Sequence, residues 1–203
     1  MISDTMVNGN LKDDDPQVIS IPATLARISI CIKEDFKPVL PKILPTLIKD
    51  ASRDVDFKTV DVDDPRLEDE SDEDRLHTSA SEIKLNAIEI IKNLARNMGK
   101  AFHDHVNPVA KICLEKLMCD RFDEDIRKEA TKAMRFCIAA CKDNDEHMKQ
   151  LFGMSFMRLM DELELRKGDF DQMNMVLKEL YKQLLLFMHF KEKNLTIFSD
   201  DDV

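Results

Sequence analysis

Glycine and proline are scarce in this chain, with four Gly and seven Pro in 203 residues. Hairpin-rich proteins need turn formers at every reversal, so this poverty argues against a sheet architecture. No apolar run reaches the ~20 residues that cross a bilayer. The opening M-I-S-D-T-M-V-N-G-N lacks a charged-then-apolar pattern, so no secretory signal and no membrane insertion are expected. Basic residues are the minority, 30 Lys+Arg against 40 Asp+Glu, and no basic stripe stands out. Direct nucleic-acid binding is therefore not expected, because phosphate contacts need clustered cations. The five cysteines, at 31, 113, 119, 137 and 141, are odd in number and irregularly spaced. That predicts reduced thiols and a soluble protein of the cytoplasm, the nucleus or both.

Catalytic patterns are missing as well. Neither Gly-x-Ser-x-Gly nor His-Glu-x-x-His occurs, and glycines 9, 99, 153 and 168 are too scattered for a phosphate-cradling loop. The sequence predicts no enzyme, no catalytic or metal-ligating residue and no cofactor.

Helix formers are what the chain has. Twelve Met accompany abundant Leu, Lys, Glu and Ala. A hydrophobic content of 43% beside 34% charged residues suffices for a packed core under a solvated surface. The charge is concentrated. Residues 54–74 hold eleven carboxylates against Lys58 and Arg66, which accounts for almost all of the formal net charge of −10.

Residues 1–15 read as a polar tail. Asp15-Pro16-Gln17 then reads as a helix start, acid first and Pro at the first position. That helix should reach about Ile32, with Pro22 kinking it or moving its start toward Ser20. In residues 36–50, Pro38 and Pro41 fall where a first turn tolerates them, and Pro45 should bend the helix. Leu40, Ile43, Leu44, Leu47 and Ile48 form its apolar stripe. Ser79-Ala80-Ser81-Glu82 reads as a capping box. Its helix turns Ile83, Ala87, Ile91, Leu94 and Met98 inward and closes at Gly99. The next carries Phe102, Val106, Val109, Cys113 and Leu117. Asp123-Glu124-Asp125 opens another, with Ile126, Ala130, Ala133, Cys137 and Cys141 inward. Its partner, from about 146 to 166, turns in Phe152, Phe156, Leu159 and Leu163. A last helix follows Gly168-Asp169, with Met173, Leu177, Leu180, Leu184 and Phe187 inward.

First helices of successive pairs start near 80, 124 and 168, a step of about 44, within the ~40–47 residues of two-helix HEAT or armadillo repeats. From Pro16 to Ala80 is one such step plus about 20 residues, and the surplus matches the acidic segment. The expected fold is all-α, a superhelical solenoid of about four HEAT repeats with the last incomplete. Its parts are a tail (1–15), a helix pair (16–51), a flexible acidic insertion (52–78), two further pairs (79–118 and 123–166), the first helix of another repeat (169–190) and an acidic tail (191–203). An irregular helical bundle with one long loop is the other reading of the same pattern.

Several runs resemble a known family. They are Asp13-Asp14-Asp15-Pro16-Gln17, Ala26-Arg27-Ile28, Glu34-Asp35-Phe36, Leu40-Pro41 with Leu44, and Ile48-Lys49-Asp50-Ala51-Ser52. In this order and spacing, followed by the acidic run Leu67 to Asp74, they are similar to a central stretch of the importin-beta-3 type of the importin-beta (karyopherin-beta) family. Asp125-Ile126-Arg127 with Ala130 resembles the HEAT-repeat signature. The resemblance covers essentially the whole chain. Arg75-Leu76-His77-Thr78 stands where better-known members carry aromatic residues. Family members are several times longer, so the chain reads as a fragment. The resemblance implies a nuclear transport receptor that shuttles between cytoplasm and nucleus. It would bind basic cargo bearing nuclear localisation signals, the Ran GTPase and phenylalanine-glycine nucleoporins.

The candidate contact is Asp61, Asp63, Asp64, Glu68, Asp69, Glu70, Asp72, Glu73 and Asp74, whose charge suits a basic partner. The plain alternative is a solvated loop. His103 and His105, at i and i+2, share no helix face and have no completing ligands in sequence, so no metal site is expected from them. Cys113, Cys137 and Cys141 read as small buried residues. Met148, Met154, Met157 and Met160 read as core at helical spacing, or in part as an adaptable groove. Two rival functions remain in view. One is a HEAT scaffold unrelated to transport, and the other is a helical-bundle enzyme, for which no residues present themselves.

Overall fold

The computed structural model describes residues 16–53, 72–120 and 123–196. Among them there are helices and turns and no strand. The α-helices are α1 (Pro16–Ile32), α2 (Leu40–Ala51), α3 (Asp72–Met98), α4 (Val106–Ile112), α5 (Glu124–Ala140), α6 (Asp145–Leu165) and α7 (Phe170–Thr196). None is long and apolar enough to cross a membrane. Helices α1, α3, α5 and α7 pack in that order in one row, each against the next. Helices α2, α4 and α6 form a second row, in which α2 meets α4 and the turn after α4 meets α6.

Local chemistry sets most boundaries. Asp123 caps α5, accepting from the backbone N–H of Asp125 and Ile126. Asn144 caps α6 by accepting from His147 N–H. Gly99 ends α3 at φ +53°, a left-handed position that suits Gly. Pro41 lies in the first turn of α2, and Pro45 is carried inside the helix.

Three boundaries differ from expectation. Helix α3 starts at Asp72 and runs straight through the Ser79–Glu82 signal. Acidic residues suit an N-terminal turn, so Asp72-Glu73-Asp74 can open a helix as well as belong to a charged run. Ser81 is free for another partner, and its Oγ donates to Asp123 Oδ2 at 2.9 Å. The helix expected over 102–117 is a 3₁₀ turn (Gly99–His105), then α4, then a π turn (Cys113–Leu117). Pro108 stands in the first turn of α4, where its ring obstructs α-helix upstream. Helix α7 continues to Thr196, past the expected end at 190.

The core lies between the rows. Phe36, Leu40, Ile43 and Leu47 meet Ile88, Ile91 and Leu94, and the cluster continues through Phe102, Val106 and Ile126 to Met134 and Cys137. Fully burying a Leu, Ile or Phe contributes ~1.5–3 kcal/mol, so this continuous cluster is the dominant stabilising element. Cys113, Cys137 and Cys141 are fully buried in it, as expected. The methionines divide. Met148 is buried, whereas Met154, Met157 and Met160 are exposed on α6. On α7, Leu177 and Leu184 face outward, and Val176, Glu179 and Gln183 face the neighbouring helices.

Buried polar bridges lock the first row and tie it to the second. Glu129 of α5 accepts from Lys92 of α3 and from its own Lys132. Glu179 of α7 pairs with Arg135 of α5 and with Lys182. Gln183 accepts from Ser155 Oγ at 2.8 Å and lies 3.4 Å from Thr131 O. Burial pushes the Glu129 carboxyl up, but the hydrogen bonds and charge of Lys132 and Lys92 outweigh it, so its pKa sits below the ordinary 4.5. The unfolded chain therefore takes up this proton at higher pH than the folded chain. The stabilisation is complete above the ordinary value and is lost as pH falls through the folded value. Glu129→Gln should lower stability at neutral pH and flatten its decline below about pH 4.5. Urea denaturation across that range checks this, and an unchanged acid slope would count against the pairing.

Candidate functional site

The turns that join the two rows align along one edge. The segment Lys33–Val39, the 3₁₀ turn and the turn after α5 together line a groove of about 630 Å³. Glu34, Asp35, Asp104 and Asp143 stand in it against Lys37 and Lys100, so acids outnumber cations. Lys37 Nζ lies 2.7 Å from Asp104 Oδ2. That hydrogen bond and charge hold the Asp104 carboxyl below its ordinary range. Lys37 is thus partly neutralised within the groove, and the remaining acids dominate its field.

His103 opens onto this groove and belongs to a second group beneath it. His103 Nε2 lies 3.2 Å from His147 Nδ1, with the rings edge to face. Cys141 Sγ lies 3.5 Å from the same Nδ1, and Asn107 Oδ1 lies 2.9 Å from His147 Nε2. The 3₁₀ turn presents His103, the C-terminus of α5 presents Cys141, and the first turn of α6 presents His147. His105 points elsewhere, against the Phe102 ring. Burial, then the neighbouring His103, pulls the His147 pKa down, so its ring is neutral at pH 7. Burial pushes the Cys141 thiol up to about 11.

Cys141, His147 and Asn107 follow the order sulfur, imidazole, amide that cysteine nucleophiles use. Here the setting of the sulfur disfavours that use. A nucleophilic thiol needs a depressed pKa and access to substrate. Cys141 has a raised pKa and is fully buried.

Of the acidic residues expected to form a contact, Asp61, Asp63, Asp64, Glu68, Asp69 and Glu70 lie outside the described residues. The backbone of Asp72, Glu73 and Asp74 is helical and belongs to α3 as described. Sequence reasoning passed over His147 and Asn107. A signal for His147 was present, because it stands 44 positions after His103, the step expected from the spacing of the helix starts. No protein-family model matches the chain.

Proposed function

We propose that the chain is a HEAT-repeat segment of an importin-beta-class nuclear transport receptor, which binds proteins by shape and charge and carries out no chemistry. Its partners would be basic cargo with nuclear localisation signals, the Ran GTPase and phenylalanine-glycine nucleoporins. The observation that carries the repeat reading is a set of four polar contacts between successive pairs whose separations fall near one step. Ser81 meets Asp123 at a separation of 42, His103 meets His147 at 44, Arg127 meets Gln172 at 45 and Lys191 meets Asp145 at 46. A stack in which each unit touches mainly its neighbours favours contacts near one repeat step, although others here span 28 to 52 positions, and it can flex to wrap a partner. The acidic edge groove and the residues 54–74 run supply counter-charge for a basic ligand.

A lysine-rich import peptide, followed by fluorescence anisotropy, tests the charge part. Neutralising Glu68, Asp69, Glu70, Asp72, Glu73 and Asp74 should weaken binding roughly tenfold, and so should a rise to physiological salt, where screening acts over ~8 Å. Binding that both changes leave intact would remove the acidic run as a contact. No binding by the unaltered chain would favour a scaffold with partners outside transport.

A further inference from the structure

We propose that His103 Nε2, His147 Nδ1 and Cys141 Sγ form a zinc site that ties the turn of one helix pair to the next pair. The inference stands on the local geometry alone and does not depend on the transport reading.

The spacing is that of a tetrahedral zinc. Bonds of 2.0–2.1 Å to nitrogen and 2.3 Å to sulfur place two nitrogens about 3.4 Å apart and a nitrogen and sulfur about 3.6 Å apart. The corresponding separations here are 3.2 Å and 3.5 Å. The remaining pair, Cys141 Sγ and a ring nitrogen of His103, also lies within 4.8 Å.

The outer groups suit ligation. Asn107 Oδ1 accepts from His147 Nε2–H, which leaves a lone pair on Nδ1, the atom that faces the other two. On the far side of His103, Nδ1 lies 3.8 Å from Asp104 Oδ1, and Lys37 anchors that carboxylate. At this distance the carboxylate makes no hydrogen bond to the ring but adds negative charge beside it. The thiol gives its proton to solvent when the dication binds, since a positive charge in this site offsets the burial that keeps it protonated. Three protein ligands leave a fourth position toward the groove, where water completes the shell. The two imidazoles come from the 3₁₀ turn before α4 and the first turn of α6, so the ion would tie these two elements together beside the groove that His103 lines.

The test uses the full chain, untagged and reduced, titrated with Zn²⁺ against a chromophoric chelator and separately with Co²⁺. One tight zinc per chain is expected, with a raised melting temperature and thiolate-to-cobalt charge-transfer absorption. Cys141→Ser and His147→Gln should abolish all three signals, with far-UV circular dichroism showing that each variant folds. Asn107→Ala alters an exposed positioning residue, so it retains the fold if a buried variant does not. It should weaken zinc 10–100-fold. A variant neutralised at Glu68, Asp69, Glu70, Asp72, Glu73 and Asp74 should bind zinc as tightly as the parent. Zinc uptake unchanged by Cys141→Ser and Asn107→Ala, a cobalt spectrum without charge transfer, or no uptake at all would overturn the site. The three groups would then be a hydrogen-bonded cluster only.

Discussion

Phe102→Ala should lower the stability of the folded chain by about 3–5 kcal/mol, the cost of removing a buried aromatic ring and leaving a cavity. Phe102 is fully buried, and the 3₁₀ turn that carries it packs against α5 and the end of α3. Gly99 reverses the chain just before this turn and Pro108 limits helix after it, so little local structure holds the segment. The ring is its main anchor. In a domain of this size the loss corresponds to a fall in melting temperature of about 10 °C. Phe102→Leu retains most of the apolar volume and should cost about a third as much. Thermal and urea melts of the two variants check the ordering. Equal effects from both would mean that ring shape, not buried volume, governs the site. His103 is the next residue, so Phe102→Ala should also loosen its approach to His147.

The second large effect belongs to Arg127. Only 4% of this residue is exposed. Its guanidinium donates to Asp120 O at 2.7 Å and to Gln172 Oε1 at 2.6 Å. It therefore joins the chain before α5 to the first turn of α7. Burial, then the charge of Arg166, pulls its pKa down, yet an arginine remains charged at any ordinary pH. Hydrogen bonds from a charged donor are worth ~1.5–3 kcal/mol each, and Arg127→Ala leaves two acceptors without that donor. A loss of about 2–3 kcal/mol is expected, together with faster amide exchange over the first turns of α7. Arg127→Lys should recover at most part of it, because an ammonium cannot reproduce the planar fork. If α7 keeps its protection in Arg127→Ala, the bridge to Gln172 does not hold that helix.

These residues also show how far the sequence could be read. Asp123, Gly99 and Gly168 marked their helix ends because capping and left-handed turns depend on a few neighbouring atoms. The start of α3 was harder, since Asp72-Glu73-Asp74 fits both a solvated charged run and a helix N-terminus. Arg127 was visible as part of a repeat-like signature, but not its partners. The apolar stripe expected on α7 failed at Leu177 and Leu184. Which face of a helix is covered depends on what stands beside it, and here the covered face carries Glu179 and Gln183. The acidic contact residues 61–70 lie outside the described residues, so the structure adds nothing to that reading.

By itself, the sequence determined the helical content, most of the helix ends, the buried cysteines and the place of the charge. Each of these follows from interactions between residues a few positions apart, or from composition. Only the tertiary structure decided that His103, Cys141 and His147 converge, that Arg127 spans three segments and that the turns line one acidic groove. Those arrangements join residues more than 40 positions apart along the chain. Periodicity reports the step between them, but the distance and direction of each side chain come from how the helices stack.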